Sequence, residues 1–379
     1  MHWERLSEDV YVFTSDRYAQ VTASLIVSGT VGVMIDTLPF PEETAQIALF
    51  ARRRCPDGVR YVIYTQHQAD HTYGAFLFPR AEVIAHAACR DILIERGFRA
   101  LEAARQQSRE LAIVKLRLPT ITFTSGVFAL KLPGKTLEIF PSPGHTVDSV
   151  SVILQEEKIL FAGDTIMAIP TIGEGDIDQL RASIEAVAAM PLESIVQGHG
   201  EIILRGEIKD NLRRSLNYLE NLQTKVRQLV EAGGTREEAR RITLESCGLQ
   251  RVLLSGVVTQ LHQANVMALY NRLTAALAPA AEPPAPESAA PGTDPRAKAG
   301  PKTTRSSKAT GKSASKKTAQ PAKSGSVRPA VRQAHRPAVR QAPLRQAQRP
   351  AAPKKPRAKA ATQAKPNKAA PKQKDRSDA

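Results

Sequence analysis

The stretch that most constrains this chain is an apolar run, residues 59–64, that ends in the polar segment Thr65-Gln66-His67-Gln68-Ala69-Asp70-His71-Thr72. The run reads as a buried strand, and a loop fixed to a strand end is a rigid base for a metal or a catalytic group. Asp70 and His71 stand side by side there and offer a carboxylate oxygen and an imidazole nitrogen, donors suited to a borderline cation such as zinc. Two neighbours cannot complete a coordination sphere, so the remaining ligands must come from distant parts of the chain. Three segments qualify, each after a strand-like run: Gly144-His145-Thr146, Gly163-Asp164-Thr165 and Gly198-His199-Gly200.

Together these segments resemble the motifs of the metallo-β-lactamase fold family, whose first motif is Thr-His-x-His-x-Asp-His, followed by a lone His, a lone Asp and a last His. The matching residues here are Asp70, His71, His145, Asp164 and His199, in that order, and the likeness covers roughly residues 1–230. The first two histidines of the motif are replaced by Gln66 and Gln68. The resemblance implies an α/β fold, a four-layer αβ/βα sandwich, expected over residues 1–205, with a helical extension, 206–280, packed on it.

Charge sets the last 99 residues apart. The chain has 53 Lys+Arg and 37 Asp+Glu; residues 281–379 hold 24 and 5 of them, a net of +19, and residues 1–280 hold 29 and 32, a net of −3. The 281–379 segment has no aromatic residue and is built from Ala, Pro, Lys, Arg, Gln and Ser. It cannot bury enough apolar surface to offset its chain entropy, so a disordered basic tail is expected. Within it Arg328-Pro-Ala-Val-Arg-Gln-Ala recurs eight residues later from Arg336. Arg328, Arg332, Arg336, Arg340, Lys354 and Lys355 are candidate contacts for nucleic acid or another polyanion, bound without sequence preference by counterion release. Without aromatics on which bases could stack, sequence-specific binding is not expected. Cys55, Cys89 and Cys247 are scattered and form no Cys-x-x-Cys pair, so they read as reduced thiols. Neither a signal peptide nor an apolar run of the ~20 residues that a membrane span needs is evident. The expected location is cytoplasmic, with nucleoid association through the tail.

Local signals place the elements. Gly29-Thr30 separates two apolar runs as in a hairpin, and Pro41 stands where a helix over residues 41–54 would begin. Residues 176–190 carry Ile177, Leu180, Ile184 and Val187 on one helical face. From 206 to about 277 the pattern is helical, broken at Gly233-Gly234, with Thr235 and Glu238 spaced as a capping box. The apolar stripe of this extension reads as core, with a homodimer interface as the other use.

The resemblance also implies a chemistry. Family members hold two metals, and the second position is complete here: Asp70, His71 and His199, with Asp164 from the bridging position. The first keeps only His145 and a share of Asp164, because the amide oxygens of Gln66 and Gln68 are weak ligands beside imidazole. One equivalent of metal is expected, zinc first, with iron or manganese as alternatives. His145, freed from coordination, becomes the candidate general base or water-orienting group, and Asp70 is the other candidate base. Asp36 ends a strand where the family often has an Asp that braces the metal loop from behind. His67 should point away from the metal, since adjacent side chains of an extended segment face opposite sides; His86 reads as structural. The function expected is hydrolysis of an unidentified small-molecule ester, thioester, lactone or phosphodiester. The alternative is an inactive domain acting as a nucleic-acid-associated binding or scaffold protein through its tail.

Overall fold

The structure, a computed structural model, describes residues 1–250, 254 and 256–277. The basic tail and its candidate contacts lie outside the described residues.

The chain begins with β1 (His2–Arg5), β2 (Val10–Thr14), β3 (Thr22–Ser28) and β4 (Val31–Ile35), each antiparallel to the one before. Gly29, at φ 58°, turns the β3–β4 hairpin with Ser28 opposite Val31. Helix α1 (Pro41–Arg54) starts on its proline, with Glu42 and Glu43 in the first turn and three arginines in the last, charges that complement the helix dipole. It crosses to β5 (Gly58–Ile63), which pairs parallel with β4. A single helical turn, α2 (Ala69–Thr72), carries the polar loop, and β6 (Glu82–His86) follows. A helical insertion, α3 (Ala87–Ile92), a π-helical turn over Leu93–Gly97, and α4 (Phe98–Gln107), leads to β7 (Ile121–Phe123), which closes a seven-stranded sheet in sequence order.

The second sheet has six strands in the order β13-β12-β11-β10-β9-β8: β8 (Phe128–Leu132), β9 (Lys135–Pro141), β10 (Val150–Leu154), β11 (Ile159–Gly163), β12 (Ser194–Gln197) and β13 (Ile203–Leu204). Helix α5 (Ile177–Ala188) joins β11 to the parallel β12. Then come α6 (Arg205–Glu231), α7 (Arg236–Ala239), with a complete Thr235–Glu238 capping box, and α8 (Val258–Leu277).

Three cores define four layers. Ile26, Val33, Ile35 and Ile63 of the first sheet face Leu137, Val150, Val152 and Phe161 of the second. The other face of the first sheet, with Leu25, Met34 and Val62, packs on Ile47 and Ala51 of α1 and Cys89 of α3. The other face of the second sheet, with Ile153, Leu160 and Ile195, packs on Leu180 and Ile184 of α5, Leu212 and Leu219 of α6, and Val266 of α8. The alternation Val152 inward, Ile153 outward is the period of a strand buried on both faces. The stripe on α6 is therefore spent within the chain, each such side chain adding about 1.5–3 kcal/mol on burial; it is not left free to pair protomers. Among the described residues no helix is long and apolar enough to cross a membrane. The cysteines are free and buried.

Candidate metal centre

The polar segments of the sequence all lie at strand ends on one edge of the sandwich. The loop after β5 supplies Gln66, Gln68, Asp70 and His71; His145 precedes β10, Asp164 follows β11 and His199 follows β12. Glycines bring these strands close enough. A Cβ on Gly198 would lie 1.9 Å from Asp164 Oδ1, and one on Gly144, at φ 134°, would lie 2.2 Å from the Leu180 backbone. No other residue type fits either place.

Each ring is held from behind. His71 Nδ1–H donates to Asp36 Oδ2 at 2.9 Å, while Asp36 also accepts from the Thr65 amide at 2.7 Å and the Thr65 hydroxyl at 2.6 Å. His199 Nδ1–H donates to the Ala19 carbonyl at 2.9 Å. The Nε2 atoms of both rings thus face inward, toward carboxylates. His199 Nε2 lies 3.3 Å from Asp70 Oδ2 and 3.5 Å from Asp164 Oδ1; His71 Nε2 lies 3.5 Å from Asp164 Oδ2 and 4.0 Å from Asp70 Oδ2. Ligands about 2.1 Å from a tetrahedral zinc sit roughly 3.4 Å from one another, close to these separations. Asp70, His71 and His199 form the one group of three or more His, Cys, Asp or Glu side chains among the described residues whose ligand atoms all lie within 4.8 Å of one another. His71 Nε2 and Asp164 Oδ1 are buried without a hydrogen-bond partner, as expected of atoms whose partner is a cation. The residues present fit a metal.

Electrostatics agree. Burial pushes the Asp164 carboxyl upward, but His199, His71 and His145 outweigh it and hold the group far below the usual carboxylate range. Burial likewise opposes ionisation of Asp70, and His71 and His199 overcome it. Burial pulls His71 down, yet Asp164, Asp36 and Asp70 raise it well above its ordinary value; His199 is raised chiefly by Asp164 against the same burial. Two buried anions thus demand positive charge, from imidazole protons or from an ion that displaces them.

At the other side of Asp164 the arrangement differs. Gln66 Nε2 donates to Asp164 Oδ2 at 2.7 Å, and His145 Nε2 lies 3.2 Å from that same oxygen and 3.1 Å from Gln68 Oε1. Two acceptors face His145 Nε2, so this nitrogen carries a proton. Its Nδ1 meets the Thr171 hydroxyl at 2.7 Å and the Thr171 carbonyl at 3.0 Å. Amide hydrogen bonds stand where a second ion would need imidazole nitrogens.

His67 is not in the cluster. Its Nδ1 pairs with Asp148 Oδ1 at 2.8 Å and its Nε2 is 3.2 Å from Arg96, which itself binds Glu174 at 2.5 Å. Burial pushes the Asp148 carboxyl up, and His67 outweighs it. His86 caps α3, accepting from the Ala88 amide at 3.2 Å. Five residues around the site gave no sequence signal strong enough to single out. They are Thr171, Asp148, the Ala19–Gln20 pair, whose left-handed φ of 45° and 52° is rare for non-glycine residues, and Tyr18. The Tyr18 hydroxyl is pushed above its usual range, first by the charge of Asp70 and then by burial.

Comparison with known proteins completes the picture. The sequence profile of the metallo-beta-lactamase superfamily matches residues 17–229, more than half of the chain. An atrochrysone carboxyl ACP thioesterase of Aspergillus fumigatus is 30% identical over 118 residues, 29% of this chain and 38% of that protein. A hydroxyacylglutathione hydrolase of Nitrobacter winogradskyi is 30% identical over 132 residues, 34% of this chain and 44% of that protein. The chain thus spans less than half the length of these curated relatives. The solved structure of a metallo-beta-lactamase family protein from Thermus thermophilus superposes with a TM-score of 0.54 at 17% identity, covering 72% of this chain and 96% of that one, a likeness of fold. With the sandwich, the strand-end cluster and the profile in agreement, this chain belongs to the metallo-beta-lactamase superfamily.

Proposed function

We propose that the domain is a hydrolase working with one catalytic ion, held by Asp70, His71 and His199 with Asp164 beside them, and that it cleaves an acyl thioester or ester. The observation that carries the reading is the pair of hydrogen bonds joining Gln66 to Asp164 and His145 to Gln68. They take up the side of Asp164 where a second ion would sit and leave one ligand group. Imidazole nitrogen with carboxylate oxygen suits zinc, and iron or manganese are the alternatives. The bound ion supplies Lewis-acid activation of water and polarisation of a carbonyl oxygen.

The chain's own residues hold and move the proton. His145 Nε2–H points into the cluster; with a second proton on Nδ1, donated to the Thr171 carbonyl, the ring gives its Nε2 proton to a leaving group and is left neutral, a task that contributes typically 10²–10⁴-fold. Thr171 serves His145 Nδ1 in either state, its hydroxyl as a donor and its carbonyl as an acceptor. In this reading His145 is the proton donor, a role beside the general base or water-orienting group suggested by the sequence, and the ionised Asp70 is the base next to it. The thioester class is supported by the names of the relatives, a thioesterase and a hydroxyacylglutathione hydrolase.

Elemental analysis of the purified chain, with turnover on acyl thioester, ester and phosphodiester probes, tests the proposal. One metal per chain and thioester or ester hydrolysis, lost in His199→Ala, are expected. Two firmly held metals, or a metal-loaded protein inert on the panel, would overturn it. A second reading rests on the net +19 of residues 281–379: nucleic-acid association through the tail, with the domain as an inactive scaffold. Deletion of 281–379 should then abolish salt-sensitive DNA retention; equal retention at matched salt by both forms rejects it.

A further inference from the structure

Helix α8 lies beyond residues 17–229, the part that the superfamily profile covers. Its Asn265 is fully buried, and its carboxamide grips the backbone on both sides of Thr171. Asn265 Nδ2 donates to the Pro170 carbonyl at 2.7 Å, and Oδ1 accepts from the Ile172 amide at 2.9 Å. The second hydrogen of Nδ2 goes to the Tyr218 hydroxyl of α6 at 3.0 Å, and Tyr218 in turn donates to His262 Nδ1 at 3.0 Å. From nearer the surface, Arg272 of the same helix donates to the Ile172 carbonyl at 3.0 Å. Residues 170–172 are thereby held from α8, and Thr171 is the residue that meets His145 Nδ1 with both its hydroxyl and its carbonyl.

We infer that Asn265 is a positioning residue for the reaction: through Pro170 and Ile172 it fixes Thr171, and through Thr171 it fixes the ring of His145. The inference rests on the proposed role of His145. A carboxamide is the side chain matched to this place, because the flanking backbone presents one carbonyl that needs a donor and one amide that needs an acceptor. A carboxylate could satisfy the Ile172 amide but would face the Pro170 carbonyl without a donor, and could pair with the Tyr218 hydroxyl only by drawing it away from His262. Buried polar groups left unpaired this way are costly, and the backbone would move to relieve them. A shift of about 1 Å at a group that hands over a proton can cost 10²-fold in rate. The C-terminal helix is thus part of the active-site support.

The test uses full-length, zinc-loaded protein with ¹⁵N-labelled histidine, the His145 signals being assigned by their loss in His145→Gln. Wild type is expected to give one His145 species with the proton on Nε2. Asn265→Asp should average the two tautomers and lower kcat on an acyl thioester probe about ten- to a hundredfold with KM little changed. Tyr218→Phe is the control, since it removes a buried hydrogen bond from the same network but leaves both Asn265 bonds to the backbone in place. It should lower the unfolding midpoint and keep the wild-type His145 signature and kcat. If Asn265→Asp does not fold, Arg272→Met, at a half-buried position, should produce the same change in the His145 signature to a smaller extent. An unaltered His145 signature in the folded variants, or an equal change in Tyr218→Phe, overturns the inference. A metal-loaded wild-type protein inert on both the thioester and an ester probe sinks the hydrolase proposal instead, and the ¹⁵N signature still decides the positioning.

Discussion

Replacing Gln66 and Gln68 together by histidine should rebuild a second metal position around His145. Both glutamine amides already point to the place: Gln66 reaches Asp164 Oδ2 at 2.7 Å and Gln68 lies 3.1 Å from His145 Nε2. An imidazole Nε2 and a glutamine amide lie about equally far from Cβ, so the histidines need no new path for the loop. Without zinc the double variant loses one hydrogen bond to an ionised carboxylate, worth about 1.5–3 kcal/mol, and one to a neutral partner, worth about 0.5–1.5 kcal/mol. It should therefore be roughly 2–4.5 kcal/mol less stable than wild type when metal-free. Zinc reverses the balance. At a free concentration a hundredfold above the dissociation constant of the new site, binding only to the folded state adds about 2.7 kcal/mol, or roughly 5–10 °C in melting temperature for a domain of this size. The informative quantity is the zinc-induced increment, which should exceed that of wild type by this amount, because wild type gains only from the Asp70–His71–His199 position. Calorimetric titration should give two equivalents in the double variant and one in wild type and in each single variant. Turnover need not rise, since His145 would exchange its proton for a metal. If the double variant never takes a second equivalent and its zinc increment equals that of wild type, the two glutamines are not what excludes the second ion.

Three further outcomes are expected. His199→Ala should strip most of the bound metal, whereas His145→Ala should keep it and lower turnover about 10²–10⁴-fold; elemental analysis beside kinetics separates the two. Gly198→Ala forces a Cβ to within 1.9 Å of Asp164 Oδ1, so it should cost about 1–3 kcal/mol of stability by overpacking and weaken metal retention, both read by urea unfolding with and without chelator. Burial pulls the His262 pKa below its ordinary value, only partly opposed by the Ile242 carbonyl and Glu245. The unfolded chain then binds the extra proton more readily, so this histidine makes the fold less stable as pH falls below about 6.5. A urea midpoint that declines between pH 7.5 and 5.5, with a shallower decline in His262→Gln, checks the sign.

Much of this molecule is local and was therefore legible in order along the chain. Pro41 opens α1, the Thr235–Glu238 box caps α7, and the period of Ile177, Leu180, Ile184 and Val187 marks the buried face of α5, because helix and cap signals span only a few residues. β1 gave no such signal, since all four of its residues are exposed and an edge strand buries no face. The three glycine-led segments and the Asp70-His71 pair already named the cluster, because a metal site needs fixed donor types at strand ends. What the glutamines do was not written there. A glutamine in place of a ligand could leave an empty socket or fill it, and only the folding of Asp164 and His145 onto Gln66 and Gln68 decides for hydrogen bonds. Asp148 behind His67, and Asn265 behind Thr171 and His145, were likewise illegible. A buried polar side chain reads like any other Asp or Asn until tertiary contact removes its water and forces it to find a partner.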